Sequence, residues 1–91
     1  MTIENTILNN LMHNEMYMRK VFPFLKQEYF SELNTKIVYK HISEFINTYN
    51  ALPTRDALQI AFHNDKDIPE DTFSDIMAIV DSFAKEDTNL D

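Results

Sequence analysis

From position 33 to 49 the apolar residues fall at Leu33, Ile37, Val38, Ile42, Phe45, Ile46 and Tyr49, with His41 among them. Neighbours in that series sit one, three or four apart, which fits a helix and cannot fit the alternation of a strand. Around a helix these positions cover roughly half the circumference, wider than the stripe of an ordinary surface helix. Lys36, Lys40, Ser43, Glu44 and Asn47 collect on the other side. A helix apolar over that much of its girth must be packed by two or more others. The pattern therefore predicts the central helix of an all-α domain. Phe45 lies near the middle of the arc, so Phe45→Ala is expected to unfold the domain or nearly so.

The flanking segments repeat the helical period in shorter pieces. Thr2 is placed to cap a first helix that carries Ile3, Ile7, Leu8 and Leu11 on one stripe. Asn9, Asn10, His13 and Asn14 weaken its end, and Asn14 can cap a second helix from Glu15 to Val21. Arg19 and Lys20 suit the negative end of that helix. Pro23 should stop it, with Phe22 pushed out of the α region. The run Val21-Phe22-Pro23-Phe24-Leu25 then makes an apolar corner. Gln27 to Phe30 adds one turn with Tyr29 and Phe30 inward, and Ser31 or Asn34 caps the central helix.

After a break at Asn50-Ala51-Leu52-Pro53, Thr54 fits an N-cap for a helix with Ala57, Leu58, Ala61 and Phe62 on one face. His63 to Asp67 reads as a polar loop. Pro69, Glu70 and Asp71 suit a first helical turn, ahead of Phe73, Ile76, Met77, Val80 and Phe83. The fold class predicted is all-α: a compact bundle of about five to six short helices around the central one. Residues 1–86 are assigned to the helical domain and 87–91 to an acidic tail or the start of a linker.

Composition narrows the function classes. Ninety-one residues suffice for one domain. There is no Cys, which excludes disulfides and thiolate metal sites and suits a reducing compartment. No apolar run approaches the roughly 20 residues of a membrane span, and no signal peptide opens the chain. A cytoplasmic location is expected. There is also no Gly, so phosphate loops and dinucleotide fingerprints are excluded. The net charge of -7 opposes direct nucleic-acid binding and crowding of copies. A monomer or weak dimer is expected.

Candidate chemistry is sparse. His41 beside Glu44 could suggest a metal pair, but the three His are far apart in sequence, and a boundary histidine is the expectation. Asp65, Asp67, Glu70 and Asp71 hint at a calcium loop, yet the pattern lacks its Gly, and Pro69 replaces an acidic ligand. No Ser or Thr has a neighbouring His and an orienting acid. Catalytic, cofactor and metal residues are therefore assigned to none. Arg19-Lys20 and Lys36/Lys40 could touch phosphate, but acids outnumber them. The candidates for a protein-interaction surface are Tyr17, Arg19, Phe22 and Phe24, set against the plainer expectation that the aromatics are core.

Three stretches carry a resemblance. The first is Ile7-Leu8-x-x-Leu11, then Tyr17, Arg19-Lys20-Val21-Phe22-Pro23-Phe24 and Glu28-Tyr29-Phe30. The second is the central helix ending Phe45-Ile46-x-x-Tyr49. The third is Leu52-Pro53-Thr54 leading to Ala57-Leu58. In order and spacing they resemble the N-terminal domain of DnaB-like replicative DNA helicases of T-even-type phages. That resemblance implies a hexameric ring whose N-terminal collar supports assembly and meets primase. A RecA-like motor would follow through a linker, and ATP and magnesium would belong to that motor and not to these residues. The partners implied are other helicase subunits, primase and a helicase loader, with no nucleic acid bound by this domain and no membrane. The alternative is a stand-alone acidic interaction protein, a DNA mimic or inhibitor of a host protein, motivated by acids at 65–75 and 86–91.

Overall fold

The computed structural model describes residues 3–84, which form five α-helices and two single 3-10 turns. In chain order these are α1 (Ile3–His13), α2 (Glu15–Val21), the turns Phe22–Phe24 and Gln27–Tyr29, α3 (Leu33–Tyr49), α4 (Arg55–Asn64) and α5 (Glu70–Ala84). The described residues contain no strand, in agreement with the all-α expectation. The Thr2 cap and the tail assigned to 87–91 lie outside the described residues.

Each helix starts and stops for a local reason. The Asn14 side chain accepts the Tyr17 N–H at 3.1 Å and opens α2. Thr54 Oγ1 accepts the Ala57 N–H at 3.1 Å and opens α4. The Pro69 carbonyl accepts the Phe73 N–H at 2.9 Å, so the proline sits just outside α5. α3 closes on Asn50, whose φ of 53° places it in the left-handed region while its N–H returns to the Ile46 carbonyl. Asn tolerates that conformation better than other residues with a Cβ, and this chain has no Gly to take it.

α3 is central: it touches α1, α4, α5 and the turn at 27–29. Its buried residues are Thr35, Val38, Tyr39, His41, Ile42 and Ile46. Leu8, Leu11 and Met12 of α1, Leu58 and Phe62 of α4, and Ile76, Val80 and Phe83 of α5 complete most of the core. Phe30 stacks on Tyr39 with ring centroids 4.7 Å apart, so one turn of irregular chain contributes a fully buried ring.

Several expectations need correction. Phe45 is only half-buried and Leu33 and Tyr49 are exposed, so α3 is rotated towards Thr35 and Tyr39 relative to the arc read from hydropathy. Both polar-tipped residues are satisfied in place. Thr35 Oγ1 donates to Glu4 at 2.6 Å and the Tyr39 hydroxyl to the Leu25 carbonyl at 3.2 Å. Neither Ser31 nor Asn34 caps α3, whose N-cap is Glu32 without a side-chain bond. Glu4 of α1 instead braces the segment just ahead of the helix: it accepts the Ser31 N–H at 3.1 Å and the Ser31 hydroxyl at 2.9 Å. The Thr35 hydroxyl, then the Ser31 N–H, hold the Glu4 carboxyl below its ordinary pKa.

Phe22 stays in the α region at φ -53°, ψ -42° because α2 tightens directly into a 3-10 turn at Pro23. Tyr29 is exposed while Phe30 is inward. Ile3 is exposed, whereas Asn9 and Asn10 are buried in its place. Asn10 donates to the Thr6 carbonyl at 3.0 Å, but the Asn9 amide oxygen has no partner among the described residues. His63 and Asn64 belong to the last turn of α4, anchored by buried Phe62 and by the His63 ring 4.3 Å from Phe73.

Candidate protein interface

The four residues expected at an interaction surface are placed unequally. Tyr17 is half-buried against the core, and burial raises its phenol above the ordinary pKa. Arg19 reaches Glu15 at 3.0 Å one turn back, and donates to the Asn50 side chain and carbonyl at 3.3 and 3.4 Å. It thus ties α2 to the end of α3. Phe22 is half-buried, its ring 6.4 Å from Tyr39. Phe24 is 75% exposed. Arg19 and Phe22 share a cleft of about 270 Å³ with Met18, Pro23, Ile46 and Asn50, but Tyr17 and Phe24 do not line it.

A larger groove lies on the other side, between α3 and α4. It holds about 390 Å³ and is lined by His41, Glu44, Phe45, Thr48 and Tyr49 from α3, and by Ala57, Leu58, Ile60, Ala61 and Asn64 from α4. Ala57 and Ala61, one turn apart, keep the α4 side low. Phe45 and Tyr49 lie side by side along α3, their rings tilted 45° with centroids 4.6 Å apart, and Ile60 lines the α4 side. Tyr49 and Ile60 are 64% and 61% exposed, so the groove is apolar and open.

His41 lines the groove and is itself buried. Its Nε2 is 2.8 Å from Asp65 Oδ2, and its ring meets Phe62 edge-on at 5.2 Å. An ionised carboxylate only accepts, so Nε2 carries the hydrogen. Asp65 also accepts the Asp67 N–H at 3.0 Å and lies 3.7 Å from Lys40. The Asp67 N–H first, then His41, hold the Asp65 carboxyl below its ordinary pKa. Asp65 was expected in a solvated loop; instead its side chain is 12% exposed and pins the 65–69 connection to α3. Nothing in the local sequence marks this pairing, because the partners are 24 residues apart. Arg55 and Asp81 similarly tie α4 to α5, with hydrogen bonding lowering Asp81 and raising Arg55.

Among the described residues, no group of three His, Asp or Glu could hold a metal ion, and no helix is long and apolar enough to cross a membrane. The polar clusters are joints between helices.

No known protein-family profile matches the chain, and no solved structure matches it. It is similar to a DnaB-like replicative helicase of Enterobacteria phage T4, with 30% identity over 78 residues. The aligned segment is 86% of this chain but 16% of that relative, so the chain spans about one sixth of the helicase's length. The likeness points to a helicase-related region.

Proposed function

We propose, from the likeness to a phage replicative helicase, that this domain is the helicase's non-catalytic N-terminal assembly and protein-interaction module. It supports the hexameric ring and contacts primase in the host cytoplasm, while ATP, magnesium and unwinding belong to a motor elsewhere in the helicase. The observation that carries this reading is the likeness over 86% of this chain; the open apolar groove between α3 and α4, whose exposed walls Tyr49 and Ile60 suit contact with another protein, supports it. The charged groups favour the same reading. Arg19, Arg55, His41 and Asp65 are each engaged in joining elements of the fold, a structural use of their charge.

The test uses a helicase that carries this region, with and without it. Deletion is expected to leave motor ATPase activity per subunit in place while weakening ring assembly, read by sedimentation velocity, and abolishing stimulation by primase. An unaltered ring together with an unaltered primase response would overturn the proposal. Calorimetry of the isolated domain with ATP and magnesium should show no heat beyond dilution.

A further inference from the structure

We propose that the α3–α4 groove is a receptor for one basic amphipathic helix supplied by another protein. The inference rests on the interaction-module reading above and assigns that module a site and a class of partner.

The shape and chemistry of the groove select the ligand. Both walls are helices with their backbone hydrogen bonds made internally, and the described residues contain no strand edge. An extended peptide would find no backbone partners there, whereas a helix satisfies its own backbone and has only apolar side chains to offer. Ala57 and Ala61 let a helix approach closely, and Tyr49 and Ile60 flank its path with exposed apolar surface beside the half-buried Phe45. A volume of about 390 Å³ suits two or three anchoring side chains at the three- and four-residue spacing of one helix face.

Charge selects the sign. Glu44 is the acid that lines the groove, its side chain 61% exposed, and His41 on the same wall is already held by Asp65. No lysine or arginine lines it. With a chain charge of -7 behind that rim, a basic helix gains and an acidic one is repelled. The same charge works against a second copy of this chain as the occupant.

The probes are three synthetic peptides, each about four helical turns long. One has leucines at helical spacing among lysines, one has the same leucines among glutamates, and one has the first composition scrambled. Fluorescence anisotropy gives affinities, and amide NMR shifts locate the site. The lysine helix is expected to bind at least about tenfold more tightly than the glutamate helix at low salt, with the ratio shrinking as salt rises. Its shifts should fall on α3 and α4 around Phe45, Ala57 and Ala61. The double variant Tyr49→Ser, Ile60→Ser alters two exposed residues, so it should fold and lose about tenfold or more in affinity. Glu44→Lys should reduce the preference for lysine roughly two- to fivefold.

Equal binding of the scrambled peptide, shifts centred on Phe24, or no binding by any peptide would each overturn the proposal. A dimer whose contact maps to this groove would overturn it in favour of a second copy. Any of these leaves the assembly-module reading intact, since that falls only if the helicase lacking this region still assembles and answers primase.

Discussion

The two flanks of α3 carry similar side chains and meet different fates. On one, Val38 and Ile42 are fully buried and Ile46 nearly so, on a helix that packs against α1 and α5. On the other, Phe45 and Tyr49 meet with tilted rings beside α4, Phe45 half-buried and Tyr49 exposed. Hydropathy alone treats them as one arc. What separates them is the shape of α4, whose small Ala57 and Ala61 face the second flank and leave it unfilled. Apolarity in a sequence therefore marks surface to be covered, without saying whether the same chain covers it.

The comparison breaks first if the buried flank is not energetically dominant. Ile42→Ala removes a side chain with no exposure and should cost about 2–5 kcal/mol. A domain of this size has about 5–10 kcal/mol in total, and each kcal/mol shifts the melting temperature by about 4–8 °C. A fall of at least about 10 °C by circular dichroism is expected. A fall under a few degrees would mean that α3 is rotated otherwise.

Next comes the joint that ties the 65–69 connection to α3. Asp65→Ala removes the carboxylate that holds His41, Lys40 and the Asp67 N–H, and should cost about 2 kcal/mol at neutral pH. Asp65 has a folded pKa below its unfolded value. Its contribution is therefore fully present above the unfolded pKa of about 4 and is lost as pH falls through the folded one. The gap in melting temperature between wild type and variant should be widest near pH 7 and narrow below about pH 4. A gap that is constant from pH 7 to pH 3 would show that Asp65 acts by packing alone.

Much of this was legible in the sequence, and the limits have physical causes. The bounds of α2 and α3 and the caps Asn14 and Thr54 follow from local periodicity and local hydrogen bonding, which a sequence displays directly. The Glu4 bond to Ser31 ahead of α3, the Arg19 clamp on Asn50 and the His41–Asp65 bond are tertiary, with partners 24 to 31 residues apart. Burial of Thr35 and Tyr39 was missed because each polar atom finds its partner only after folding. The groove was missed for a related reason: Ala57 and Ala61 read as core-facing by period, and only the packed pair of helices shows the space above them.

Phe45→Ala sharpens the contrast. Near-complete unfolding was the expectation from the hydropathic arc, but a half-buried ring that lines an open groove should cost about 1–2 kcal/mol. The melting temperature should fall by about 5–10 °C, clearly less than for Ile42→Ala. Equal losses would erase the distinction between the flanks and place Phe45 in the core.

The smallest effect on stability belongs to Tyr49→Ser, and it separates folding from recognition on the open flank. Tyr49 is 64% exposed at the last turn of α3, and the contact recorded for its ring is with Phe45, itself half open. A surface substitution of this kind usually lies within about 0.5 kcal/mol of wild type, so melting curves should nearly superimpose. Helical content should be unchanged, because the Asn50 cap and its bond to Ile46 do not involve the tyrosine side chain. If the groove receives a partner, the same substitution should weaken that contact while leaving the domain intact. A loss of several kcal/mol in stability would instead show that Tyr49 closes over the core, and the two flanks of α3 would then be one.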